Sequence, residues 1–397
     1  MLLPTNRRRF LKGAALAAGA SQSRADEQPA PPDPTTTPGV PARAYGERSR
    51  FEKIVRIPSS QGTSSVTPLQ DLAGIITPSS LHFERHHAGV PEIDPRRHRL
   101  MIHGMVDRPL ILTMDELKRF PSVSRIYFME CSGNGFRERK TARTAQEAHG
   151  LASCAEWTGV PLGLLLREAG VQAGASWIVA EGSDAAKMTR SIPLEKATKD
   201  VLVAWGQNGE ALRPEQGYPV RLFVPGWEGN ISVKWLRRIK VVDQPYMTRE
   251  ETSKYTDLMP DGKARQFTFE MDPKSLITFP SGGQKLAGPG FYEISGLAWS
   301  GRGAIQRVEV SVDGGQIWQD AQLQTPVLPI AFTRFRFGWK WEGAEAVLQS
   351  RCTDEHGDVQ PQLEDLEKVR GDHWSYHYNP IQSWKVAMDG SVLNVLT

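Results

Sequence analysis

Short apolar runs separated by turn-forming residues dominate this chain, and their character changes about two thirds of the way along. Residues 99–106, 126–129, 177–180 and 220–224 are brief apolar stretches bounded by loop residues, the pattern of buried strands. Two segments carry helix signals instead. Residues 113–120 open with Thr113 and place Glu116 three positions on, a capping box that satisfies two orphan backbone donors. Residues 162–169 run apolar to Ala169 and stop at Gly170, which tolerates left-handed backbone. Mixed elements with many loops predict an α+β domain over residues 50–272. Beyond residue 275 the runs at 297–299, 305–312, 316–319 and 346–352 are short strands, and Asp313-Gly314-Gly315 between two of them is a hairpin turn. That spacing predicts an all-β immunoglobulin-like sandwich over 273–397, suited to dimerisation or partner contact.

The first 49 residues stand apart. Asn6-Arg7-Arg8-Arg9-Phe10-Leu11-Lys12 precedes a short apolar run from Gly13 to Ala20, the signature of a twin-arginine export signal over 1–25, with Ala20 and Ala25 as cleavage edges. The run is too short to stay in a bilayer as a spanning helix. Residues 26–49, rich in Pro and Thr, read as a disordered linker. The export address implies the periplasm and suits a protein folded around a cofactor before transport.

Composition narrows the chemistry. The formal net charge is +3 over 397 residues, and losing the signal removes several cations, so there is no electrostatic case for nucleic acid or a membrane surface. Three cysteines (Cys131, Cys154 and Cys352) without short spacing make no disulfide framework. No CxxCH motif provides for haem in this chain, so redox electrons would leave to a separate partner. Cys131 is the notable one. It follows the strand 126–129 and enters Ser132-Gly133-Asn134-Gly135, a small-residue loop where a bulky cofactor could approach and a thiolate could serve as a soft ligand. A buried structural cysteine is the alternative. Upstream, Phe83, Arg85, His86 and His87 group a permanent cation with imidazoles, suited to an oxyanion, a phosphate or a metal, or simply to a solvated basic loop.

Taken together, LHFERHHAGVP (81–91) and FMECSGNG (128–135) resemble the sulfite oxidase family of molybdenum enzymes, whose cofactor domain opens with Phe-x-Arg-x-His and then supplies one Cys ligand before a Gly-Asn turn. CAEWTGVPLGLLLREAGV (154–171), RPEQGYPVRLFVPGWEGNISVKWLRRIKV (213–241) and RCTDEHGDVQP (351–361) extend the likeness in order. Residues 249–267 and 369–384 look most like the SoxC branch, the molybdenum subunits of Sox-type sulfane dehydrogenases. The resemblance implies an α+β molybdopterin-binding domain of sulfite oxidase type followed by the sandwich, and a molybdenum-molybdopterin cofactor. Cys131 would be the metal ligand. Arg85, Tyr255, Arg370 and Trp157 would line the substrate pocket. Phe83, His87, Asp184, Gln216, Arg221, Ser232 and Lys234 would hold the pterin and its phosphate, while Cys154 and Cys352 pack. It also implies a c-type cytochrome acceptor, a sulfur-carrier protein as substrate, and a homodimer within an α2β2 assembly.

Two positions depart from the family pattern. Phe136, with Arg137 after it, stands where sulfite oxidases usually place an arginine, and Gln216 replaces a frequent histidine. The first weakens a pocket for free sulfite and favours sulfur carried on a protein cysteine. Free sulfite is the alternative substrate. The opposing class, a cofactor-free binding protein on the same fold, does not account for Cys131, Arg85, His87 and the export signal together.

Overall fold

The computed structural model of this chain describes Asp33, Thr36 and residues 38–135, 141–371 and 374–395. The export signal lies outside the described residues. Residues 1–53 and 54–397 are two separate compact units. The described part of the first unit contains no strand, and Tyr45 and Phe51 are exposed.

Within residues 54–397, beside a small sheet of Ile57–Pro58, Ser64–Val66 and Glu84–Arg85 and the pair Asp257–Leu258, Ala264–Arg265, two five-stranded sheets dominate the α+β region. One has the order Glu210–Ala211, Leu202–Gln207, Ala152–Pro161, Val123–Glu130, with Arg221–Phe223 also pairing Leu202–Gln207. The other has the order Leu110–Leu112, Leu100–Gly104, Leu236–Val242, Trp177–Gly182, Thr189–Pro193. In it Leu236–Val242 runs parallel to Leu100–Gly104 and antiparallel to Trp177–Gly182. The helix Leu162–Ala169 buries Leu162, Leu165, Leu166 and Ala169 against these sheets, and Gly170 ends it at φ 71°. The capping box at Thr113 forms as expected, but its helix is only Met114–Leu117.

The sandwich is two antiparallel sheets. One has the order Lys274–Phe279, Gly290–Trp299, Thr333–Trp341, Gln322–Leu323; the other has the order Gln319–Asp320, Ile305–Ser311, Ala346–Asp354, Ser383–Val386, Val392–Val395. The strand expected at 316–319 is reduced to Gln319–Asp320. The Asp313 carboxylate accepts from the N–H groups of Gln316 and Ile317, both at 3.0 Å, so those donors serve the turn and not a ladder. The sandwich core does not close on itself. Leu69, Phe128, Ala145, Ala152 and Cys154 of the α+β region pack into it beside Trp299, Phe332 and Trp384. Among the described residues, no helix is long and apolar enough to cross a membrane.

Candidate active site

One cavity gathers most of the residues singled out from the sequence. Phe83, Arg85, His87, Cys131, Asp184, Gln216, Arg221, Ser232, Lys234 and Tyr255 all line it. Its empty volume is about 660 Å³, part of it open to solvent.

Cys131 takes its place because the strand Val123–Glu130 ends one residue earlier and the chain turns sharply. The Asn134 N–H donates to the Cys131 carbonyl at 2.9 Å. The Asn134 amide then locks the loop, donating to Glu130 Oε1 at 2.8 Å and to the His149 carbonyl at 2.9 Å, and accepting from the Leu151 N–H at 3.0 Å. Gly135 sits at φ 96°, and a Cβ there would stand 2.8 Å from both His149 and Tyr378, so only glycine fits. Burial raises the Cys131 thiol above its ordinary value, so ligating a metal would have to displace its proton.

The segment carrying Phe83 and Arg85 is pinned from three directions. The Phe83 N–H donates to Thr67 Oγ1 and Ser153 Oγ, at 3.1 and 3.0 Å, and its carbonyl accepts from Gln216 Nε2 at 2.7 Å. Gln216 therefore ties the Pro214–Gln216 turn to this segment. His87 Nε2 pairs with Tyr255 Oη at 3.0 Å. Burial pushes the His87 imidazole down and the Tyr255 phenol up, which keeps both neutral at ordinary pH.

The opposite wall is cationic. Arg221 is 2% exposed, and its guanidinium donates to the carbonyls of Gln216 and Ser232, at 3.1 and 2.8 Å, and to no carboxylate among the described residues. Burial pushes it down to about 9. Lys234 Nζ donates to the carbonyls of Arg85 and Glu215, both at 3.0 Å, and burial lowers it to about 7. Ser232 Oγ accepts from the Val224 N–H at 3.0 Å. Asp184 is buried at the rim and accepts weakly from the Met188 N–H at 3.4 Å. Two buried cations that donate mainly to carbonyls and form no ion pair among the described residues suit an anionic ligand.

Two expected pocket residues lie elsewhere. Trp157 is wholly buried behind the cavity, in the middle of the strand Ala152–Pro161. Its ring meets Phe223 at 4.5 Å and the Arg221 guanidinium at 5.1 Å, so it supports that arginine and does not line the pocket. Arg370 is engaged within the fold. It pairs with Asp272 at 2.9 Å and donates to the carbonyls of Tyr376 and His377, at 3.1 and 2.8 Å, leaving no free charge for a substrate. Cys154 and Cys352 pack in the core as expected, their thiols raised by burial. Phe136 and Arg137 lie outside the described residues.

Several site groups were not singled out from the sequence. Asn230 lines the cavity and donates to Ser132 Oγ at 3.0 Å and to Glu228 Oε2 at 2.6 Å. Glu228 in turn pairs with His377 at 3.0 Å, both fully enclosed, and the His377 N–H donates to the Ser132 carbonyl at 2.8 Å. The C-terminal segment thus braces the Cys131 loop. The tripeptide Glu228-Gly229-Asn230 sits inside a recognisable motif, but its partner lies 149 positions away and leaves no local signal. Arg190 is a further buried cation, on the strand Thr189–Pro193.

No group of three or more His, Cys, Asp or Glu side chains among the described residues could hold a metal ion, so a metal at Cys131 must bring most of its ligands with it. A molybdenum-pterin meets that requirement: Cys131 would hold the metal, and Arg221 and Lys234, which line the same cavity, would take its phosphate.

Comparison with known proteins agrees. Residues 87–250 match the oxidoreductase molybdopterin binding domain, and residues 265–383 match the Mo-co oxidoreductase dimerisation domain. The chain is 32% identical over 368 residues to the sulfite oxidase of Gallus gallus, covering 85% of this chain and 78% of that protein. It is 33% identical over 356 residues to the NADH nitrate reductase of Solanum lycopersicum, covering 78% of this chain but only 39% of that protein. Among solved structures, the sulfane dehydrogenase SoxCD from Paracoccus pantotrophus superposes with a TM-score of 0.85 at 45% identity, covering 92% of this chain and 99% of that one.

Proposed function

The chain belongs to the sulfite oxidase family of molybdopterin oxidoreductases, and from that premise we propose that it is a molybdenum-dependent dehydrogenase acting on sulfur. The observation that carries the proposal is the coincidence, in one cavity, of the Cys131 thiol with two buried cations, Arg221 and Lys234, that form no ion pair among the described residues. The cofactor would supply oxygen-atom transfer and accept two electrons. The protein's part is binding and electrostatics. Cys131 would hold the metal, Arg221, Ser232 and Lys234 the phosphate, and Phe83, Gln216 and Asp184 the pterin. Arg85 and Tyr255 face the same space and would stabilise negative charge on a sulfur oxyanion, with the Tyr255 hydroxyl aligned by His87.

The preferred substrate is sulfane sulfur bound to a carrier protein. Identity of 45% with a sulfane dehydrogenase against 32% with a sulfite oxidase supports it. Electrons would pass to a c-type cytochrome subunit in the periplasm, within a homodimeric core formed through residues 273–397. Free sulfite is the second reading, favoured by the 78% coverage of the chicken enzyme.

The test is molybdenum analysis of the mature protein, followed by absorbance changes on adding free sulfite and then a sulfane-loaded carrier. Near-stoichiometric molybdenum, reduced slowly by sulfite and rapidly by the carrier, is expected. Rapid reduction by sulfite alone selects the second reading, and a fully matured sample without molybdenum overturns both.

A further inference from the structure

Arg190 is a buried guanidinium without adequate partners. It is 1% exposed, and its Nε and Nη1 form no hydrogen bond. Among the described residues its one ion-pair partner is Glu251, at 3.6 Å from Nε, too long for a hydrogen bond. Glu251 is already taken: its oxygens accept from the Ser191 N–H, from Ser191 Oγ at 3.0 Å and from the Thr248 N–H at 3.0 Å. Other buried cations of this protein are served better. Lys274 has Glu130 at 2.8 Å and Arg370 has Asp272 at 2.9 Å. Leaving charged donors unmade in the interior is costly, so an arginine retained in this state implies a partner that the chain itself does not provide.

The surroundings say where that partner comes from. The Arg190 guanidinium lies 5.1 Å from the centre of the Tyr255 ring, and Tyr255 lines the cavity with Cys131. Its charge also reaches Glu228, which precedes the cavity-lining Gly229 and Asn230. Arg190 therefore stands just behind the wall formed by Tyr255, one layer back from the residues that line the cavity.

We propose that Arg190 is an anion-receiving residue of this site, its guanidinium serving a sulfur oxyanion that enters beside Tyr255. The identity of the anion rests on the proposed function; the presence of an anion subsite does not. Arg190 then supplies, from the strand Thr189–Pro193, a cationic contact that Arg370 does not.

The experiment titrates molybdenum-loaded protein with sodium sulfate at constant ionic strength, following heat or tryptophan fluorescence, for wild type, Arg190→Gln and Arg190→Lys. Sulfate reports the subsite without turnover. The expected result is about tenfold or more weaker sulfate binding in Arg190→Gln, with molybdenum content unchanged. Arg190→Lys keeps the charge but loses the planar fork and falls between the two. If Arg190→Gln does not fold, the weakened binding of Arg190→Lys carries the test. Wild type that takes no sulfate, or folded variants that bind it as tightly as wild type, overturns the proposal. So does molybdenum loss with sulfate affinity intact in the loaded fraction, which would make Arg190 a cofactor contact. Failure of the proposed function shows separately, as wild type without molybdenum or without turnover of any sulfur substrate.

Discussion

Lys274 and Arg221 are both buried cations reached by neighbouring residues of one strand, and they meet opposite circumstances. At the end of Val123–Glu130 the side chains alternate, as strand geometry requires. Glu130 points into the seam between the α+β region and the sandwich, where it pairs with Lys274 at 2.8 Å and accepts from Trp299 Nε1 at 2.7 Å and Asn134 Nδ2 at 2.8 Å. Met129 points into the cavity, where its sulfur lies 3.4 Å from Arg221 Nη2, and Arg221 pairs with no carboxylate among the described residues. The seam is a closed network in which every charge is answered, so it holds two regions together. The cavity is open in the electrostatic sense and waits for a ligand. Partner satisfaction, more than burial or charge, separates structural ions from functional ones here.

The sharpest break falls at Cys131. Cys131→Ser should lose turnover entirely, even if molybdenum content falls only partly, while its melting temperature without cofactor stays that of wild type. Turnover at the wild-type rate would remove the ligand assignment. Next comes the seam. Lys274→Met leaves Glu130 buried without its cation and should cost about 3–5 kcal/mol in urea unfolding, with sulfate binding at the cavity intact. The double variant Lys274→Met/Glu130→Gln should recover much of that loss. A small effect of the single variant would mean the seam network is not what joins the regions.

Arg221→Met should behave in the reverse way. Removing an unanswered buried charge leaves the cofactor-free protein no less stable, while retention of the pterin falls about tenfold or more. Equal loss of stability in Lys274→Met and Arg221→Met would erase the comparison. The smallest effect is protonic. Lys234, lowered by burial to about 7, is mostly neutral at pH 8, and an arriving anion raises it again. Inorganic phosphate binding should therefore take up protons between pH 7 and 10, and less so below 7, where Lys234 is already charged. Calorimetry in buffers of different ionisation enthalpy measures this directly, and proton release on binding would contradict it.

Much of the site was legible in the chain because its residues come in compact motifs. Residues 81–91, 128–135 and 213–241 supply Phe83, Arg85, His87, Cys131, Gln216, Arg221, Ser232 and Lys234, and all of them face one cavity. Tyr255 and Asp184, carried by resemblance alone, join them. The exceptions share a cause. Trp157 and Arg370 occupy plausible positions in sequence, but whether a side chain lines a pocket or stands behind it depends on partners far along the chain: Phe223 for one, Asp272 for the other. Arg190 gave the opposite error, a strand residue with no motif around it that the fold brings to Tyr255.

The sequence by itself determined the family, the two kinds of architecture and the cysteine that can hold a metal, because local patterning and contiguous motifs encode strands, turns and ligand loops. Tertiary structure alone decided which charges are neutralised. Glu130 with Lys274, Glu228 with His377 and Arg370 with Asp272 are pairs separated by 98 to 149 residues. Only when such pairs have formed does it become clear which cations, Arg221 and Lys234, form none among the described residues, and that Arg190 keeps donors unmade beside Glu251.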